Sequence, residues 1–92
     1  MVLAIRYTTQ AKKDIRKLAK QGKDVTKLAS VLNDIAAGKE LPARIRDHAL
    51  SGNYTGYREC HIEPDWLLIY LVNEALLYLT AVRTGSHSEL FG

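Results

Sequence analysis

The chain has 92 residues, enough for one domain spanning 1–92 but near the lower limit for burying a self-sufficient core. Hydrophobic residues make up 47% and charged residues 25%, which excludes a disordered tail. No apolar run approaches the roughly 20 residues that cross a bilayer, and the N-terminus MVLAIRYTTQ lacks the basic and then apolar regions of a signal peptide, so a cytoplasmic location is expected. A single cysteine, Cys60, excludes an intramolecular disulfide and is compatible with a reducing compartment. The net charge of +3 divides into +6 over residues 1–48 and −3 over 49–92. A basic first half suits nucleic acid or an acidic protein partner, although charge alone favours a solvated lysine-rich helix face.

Met1 to Tyr7 (MVLAIRY) is expected to form a short strand. Thr8 or Thr9 then caps a helix in which Ala11, Ile15, Leu18 and Ala19 follow the spacing of one buried stripe. Lys13, Arg16, Lys17 and Lys20 recur on another face, and Gly22 is the stop. Asp24 caps a second helix with Val25, Leu28, Leu32, Ile35 and Ala36 as its stripe, ended by Gly38. Two amphipathic helices joined by a short connection form a hairpin that needs another apolar surface. Lys39 to Asn53, with Pro42 and Gly52 and no sustained period, reads as a long functional loop. From residue 56 the segments GYRECHI, WLLIYLV and ALLYLTAVR, separated by EPD and NE, read as an antiparallel meander. The fold class is therefore α+β, in the order β-α-α-β-β-β, with the hairpin on one face of a small, mainly antiparallel sheet.

A two-residue turn at Pro64 and Asp65 sets an expected register, with Glu63 facing Trp66, Ile62 facing Leu67 and His61 facing Leu68. Cys60, Ile62, Leu67, Ile69 and Leu71 then face the helices. Tyr57, Glu59, His61, Trp66, Leu68 and Tyr70 face away. In the third strand, placing Leu77 and Leu79 in the core also points Arg83 inward, unless a bulge intervenes or the strand has ended.

The candidate chemistry lies in His48, His61, Asp65, Arg83 and His87. Histidine exchanges protons near neutral pH, so several of them around an arginine suit acid/base work on an anion such as a phosphodiester. One takes a proton from the nucleophile, another protonates the leaving oxygen, and Arg83 stabilises the charge built up between them. Such a site needs no cofactor. Zinc is the alternative use of three histidines and a carboxylate, but neither HxxxH nor HxH spacing is present. Blander roles also exist: His48 as a solvated turn residue, His61 bonded to a backbone carbonyl, Asp65 as a turn former, Arg83 paired with Glu59 or Glu89, and His87 in a mobile tail. Phe91 either docks on the domain or offers a stacking surface for an unpaired base. Cys60 packs as a small apolar residue.

DHALSGNYTGYRECHIEPDWLLIY followed by RTGSHSELFG resembles the signature of the RelE-type toxins of bacterial toxin–antitoxin pairs, specifically the YafQ branch. The resemblance covers residues 46–92 closely, and the preceding elements match the family order. It implies an mRNA endonuclease that cuts in the A site of the translating ribosome without metal, held inactive by a cognate antitoxin of the DinJ or RelB kind. It also implies that His48, His61, Asp65, Arg83 and His87 fall on active-site positions, and Phe91 on an aromatic that positions mRNA. The implied reaction is attack by a ribose 2′-OH on the adjacent phosphate, leaving a 2′,3′-cyclic phosphate. His48 or His61 would be the base and His87 the acid, with Asp65 orienting a histidine. Lys13, Arg16, Lys17 and Lys20 become phosphate contacts on ribosomal RNA, or charge covered by an acidic antitoxin segment. The related ParE-type toxins share the fold but poison DNA gyrase and lack the histidine cluster. An RNA-binding module without catalysis is the remaining alternative.

Overall fold

The computed structural model of the chain describes residues 2–92. Strand β1 (Ala4–Tyr7) leads into helix α1 (Thr9–Lys20), and helix α2 (Val25–Ala36) follows. Met1, where the first strand was expected to begin, lies outside the described residues. Thr8 caps α1 by accepting the Ala11 N–H at 2.9 Å, and Asp24 caps α2 by accepting the Thr26 N–H at 3.1 Å. Gly22 (φ 83°) and Gly38 (φ 72°) take the left-handed conformation just beyond the two helices, which a side chain would disfavour. The stripe of α2 is buried as expected through Leu28, Leu32 and Ala36. That of α1 differs: Ala19 is exposed, and Asp14 joins Ala11 and Leu18 among the buried residues.

The segment expected to be one long loop carries structure. A 3-10 turn at Ala43–Ile45 buries Ile45, a two-residue strand β2 (His48–Ala49) follows, and a second 3-10 turn spans Gly52–Tyr54. Two residues are too few to show a strand period, which is why β2 is invisible in the pattern. It is anchored by its neighbour Asp47, which accepts a hydrogen bond from Arg58 Nη2 at 2.9 Å and another from the Tyr70 hydroxyl.

Strands β3 (Arg58–Glu63), β4 (Trp66–Asn73) and β5 (Tyr78–Gly85) form the meander, and helix α3 (His87–Phe91) closes the described chain. The sheet order is β1-β5-β4-β3-β2, with β1 parallel to β5 and the other pairs antiparallel. Leu77 is not in the core as expected: it sits in the β4–β5 turn at φ 59°, 39% exposed, whereas Leu79 is fully buried.

The expected register is overturned one residue past the turn. Glu63 does pair with Trp66, but His61 pairs with Leu67 and Cys60 with Leu68, leaving Ile62 as the extra residue of a β-bulge. A bulge changes the parity of everything beyond it. Trp66, Leu68 and Tyr70 consequently pack with Cys60 against the helices, while Leu67 and Ile69 pack on the opposite face with Leu90, Tyr54 and Tyr57. The two faces of β4 are thus the reverse of the expected ones. A second bulge lies in β5, where Ile69 pairs with Arg83 but Tyr70 with Ala81, so that Val82 is the extra residue. This is the bulge that one of the two expectations for Arg83 required.

Candidate active site

The face of the sheet opposite the helices gathers the histidines. His48 on β2 pairs with Glu59 on β3, and alternation along β3 puts His61 on the same side as Glu59. His48 Nδ1 lies 2.8 Å from the Arg46 carbonyl and His61 Nδ1 lies 3.2 Å from the Pro64 carbonyl. A carbonyl accepts only, so each Nδ1 carries the hydrogen and each neutral imidazole is left with a lone pair on Nε2. Both Nε2 atoms face one atom, Glu59 Oε1, at 3.5 Å and 3.7 Å. These distances exceed a hydrogen bond but keep the carboxylate charge against both rings. Glu59 is 7% exposed and is the residue that sequence reasoning left out of the site. The signal for it was present, since it precedes His61 by two residues on one strand. Only the pairing with β2 brings His48 to it.

Asp65, expected to orient a histidine, meets the backbone of His87, its Oδ1 accepting the N–H at 3.0 Å. The turn nevertheless serves both histidines, because Pro64 holds the His61 ring and Asp65, the next residue, holds the start of α3. His87 begins that helix, and α3 replaces the mobile tail considered for it. Ser86 accepts the Glu89 N–H at 3.2 Å while Glu89 Oε1 accepts the Ser86 N–H at 2.9 Å, a reciprocal capping box that the sequence Ser-His-Ser-Glu encodes. Lys17 Nζ reaches the other Glu89 oxygen at 2.6 Å. The Lys17 hydrogen bond, with the Ser86 contacts behind it, pulls the Glu89 carboxyl down to about 2.

The aromatic residues form a row. The His87 ring lies 5.2 Å from the Phe91 ring, Phe91 and Tyr54 meet edge to face at 5.5 Å, and Tyr54 meets Tyr57 at 6.2 Å. Phe91 is therefore docked by one side and 36% exposed by the other. Both roles considered for it are compatible with that position. Tyr54 went unnoticed in the sequence because it lies in a segment without a period.

Arg83 pairs with neither Glu59 nor Glu89. Its register with Ile69 belongs to the open face, but β1 covers β5 only as far as Ala81, and past that point the guanidinium turns to Asp14 on α1. Nε donates to Asp14 Oδ2 at 3.0 Å and Nη2 to Oδ1 at 3.2 Å. Lys13 and Lys17 line the same cavity of about 260 Å³, together with Gln10, Asp14, Arg83 and Glu89. Arg16 instead borders a groove between the two helices with Tyr7, Lys12 and Ile15, and Lys20 is exposed in the last turn of α1. The basic face is thus split between two surfaces. Cys60 is fully buried and its thiol is pushed up to about 12 by that burial, so it is packing material rather than a nucleophile.

Comparison with known proteins agrees with this architecture. A family described as a bacterial toxin of type II toxin-antitoxin system, YafQ, matches residues 3–92. The mRNA interferase toxin YafQ of Escherichia coli K12 is 42% identical over 89 residues, covering 96% of this chain and 95% of its own. The toxin in the crystal structure of the E. coli DinJ-YafQ complex superposes with a TM-score of 0.88 at 39% identity over all of both chains. A metal-bound toxin from Helicobacter pylori superposes at 0.92 with 39% identity, over 97% of this chain and 99% of that one. Among the described residues no three His, Cys, Asp or Glu side chains are arranged to hold an ion. The match along nearly the whole chain, in sequence and in fold, carries the assignment: the chain belongs to the YafQ family of bacterial toxins of type II toxin-antitoxin systems.

Proposed function

We propose that the chain is an mRNA interferase, an endoribonuclease that cuts mRNA in the A site of the translating ribosome and is silenced by a DinJ-like antitoxin. The observation that carries the reading is the paired presentation of His48 Nε2 and His61 Nε2 to Glu59, with His87 held by the same turn that holds His61. A neutral imidazole with its lone pair on Nε2 is a proton acceptor, and a carboxylate beside it stabilises the imidazolium that forms. The family relationship supports the substrate, since the 42% identical E. coli relative is named an mRNA interferase toxin. The E. coli complex supports the antitoxin.

In the proposed reaction the ribose 2′-OH gives its proton to Nε2 of His48 or His61, and O2′ forms a bond to the adjacent phosphorus. The bond from phosphorus to the 5′ oxygen breaks, and that oxygen takes a proton from His87. The products are a 2′,3′-cyclic phosphate and a 5′-hydroxyl. Arg83 lowers the energy of the extra negative charge on phosphorus. Phe91, backed by Tyr54, offers a face for a base, and Lys13 and Lys17 offer charge to phosphates. No step requires a metal.

The test is mapping of mRNA 5′ ends after brief expression. Codon-phased cuts in translated regions are expected from the wild type, and none from His61→Ala or His87→Ala, whose circular dichroism should match the wild type because neither residue is in the core. Unchanged transcripts with the wild type, or full cleavage by the His61/His87 double variant, would overturn the reading.

A further inference from the structure

The charged group most thoroughly enclosed outside the histidine cluster is Asp14. It is 8% exposed and the only acidic residue of α1, on a helix otherwise lined with Lys13, Arg16, Lys17 and Lys20. Its two oxygens accept four hydrogen bonds: from Gln10 Nε2 at 3.0 Å, Arg83 Nε at 3.0 Å, Arg83 Nη2 at 3.2 Å and the backbone N–H of Thr84 at 3.1 Å. Thr84 continues the chain of contacts, its hydroxyl donating to the Leu67 carbonyl at 2.7 Å and accepting from Trp66 Nε1 at 2.9 Å. The carboxylate therefore fixes both the side chain of Arg83 and the backbone two residues before the Ser86 cap of α3. It also uses two particular nitrogens of the guanidinium, leaving Nη1 as the one that Asp14 does not engage.

We propose that Asp14 is a positioning residue of the cleavage reaction. It holds Arg83 by Nε and Nη2 so that Nη1 is directed at the scissile phosphate, and it sets the point from which α3 carries His87 toward Asp65. This rests on the proposed part of Arg83 in the chemistry. A carboxylate that takes two donors of a planar fork fixes the plane of the guanidinium as well as its place, which a single contact does not. Preorganisation of this kind shows in the rate of the chemical step rather than in binding, because both oxygens of the buried Asp14 are already taken up by donors of its own chain.

The experiment measures single-turnover cleavage of mRNA on programmed ribosomes by the wild type, Asp14→Asn, Arg83→Ala and the double variant. Asp14→Asn keeps an oxygen for the Thr84 N–H but loses the charge that holds the fork. Its rate of cleavage is expected to fall about 10- to 100-fold with the half-saturating ribosome concentration unchanged. Arg83→Ala is expected to fall at least as far, and adding Asp14→Asn to it should cost nothing more. Full activity of Arg83→Ala would remove the part given to Arg83, and the inference with it. An inactive Arg83→Ala beside a fully active Asp14→Asn would overturn the inference alone, as would effects that multiply in the double variant. A measurement on the unaltered protein guards against a variant that fails to fold. The Arg83 Nε–H should give a nitrogen-resolved NMR signal at pH 7 displaced from the free-arginine position, and a signal at that position would equally overturn the proposal.

Discussion

At the scale of single residues, the site turns on a carboxylate shared by two rings. The carbonyls of Arg46 and Pro64 hold the hydrogens of His48 and His61 on Nδ1, and Glu59 faces the other side of both. Glu59→Gln preserves the shape while removing the charge. Its cleavage rate is expected to drop about 10- to 100-fold, within the range that acid/base groups contribute, with a melting temperature close to that of the wild type. An unchanged rate on programmed ribosomes would separate Glu59 from the chemistry. The histidines were legible because their residue type states their chemistry. Glu59 was legible only as a position on the right face, since glutamates are common on open strands and nothing local marks one that two histidines will share. Asp65 was legible as a turn former near His61, but its partner is 22 positions away at the His87 N–H and depends on where β5 ends.

Among the elements, α3 stands out because five residues do not make a stable helix alone. Its stability comes from the capping box, the burial of Leu90, the Asp65 contact with the His87 N–H, and the ion pair of Lys17 with Glu89. Ser86→Ala should cost about 1 kcal/mol, read as faster amide exchange at Ser88 to Phe91, and should lower cleavage because His87 and Phe91 ride on this helix. Acid should act on the same element. The Glu89 carboxyl titrates lower when folded than its ordinary value near 4.5, so its stabilising contribution is complete above that value and is lost as pH falls toward about 2. The protection factors of the α3 amides, taken against the intrinsic exchange rate at each pH, are expected to fall over that window. Lys17→Ala should weaken the dependence, by about 1 kcal/mol at most because the pair is partly solvated. The capping signature Ser-x-x-Glu is local to the sequence, but nothing local chooses between a mobile tail and a docked helix for His87. Tertiary contacts decided between them.

For the molecule as a whole, the decisive contacts join α1 to the end of β5. Burial raises the carboxyl of Asp14, but hydrogen bonds from Arg83, Gln10 and the Thr84 N–H outweigh it and leave the group below its ordinary value of 3.8. A carboxylate depressed on folding stabilises the fold at pH values above its unfolded value and loses that contribution as pH falls through the folded one. Acid unfolding of the wild type should therefore steepen below about pH 4. Asp14→Asn should flatten that limb while lowering stability at pH 7 by about 2 kcal/mol, measured by urea titration across the pH range. Equal acid limbs for the two proteins would show that the network does not couple to folding.

The sequence by itself determined the class of fold, the helical hairpin with its caps and stops, the meander and its Pro64 turn, the buried thiol and the set of histidines, because each depends on local propensity or on a period within one segment. Residue by residue it also pointed to Arg83 and Phe91. Tertiary structure alone decided which face of β4 meets the helices. Trp66 to Tyr70 is apolar on both sides, so alternation carries no information there, and the single extra residue Ile62 reverses the outcome. It alone likewise brought β2 to β3, so that His48 reaches Glu59, and turned Arg83 away from the glutamates on its own half of the chain to Asp14, 69 positions earlier. The reason is the same in each case: a contact between segments that carry no period of their own is set by how the sheet closes, and that is a property of the assembled fold.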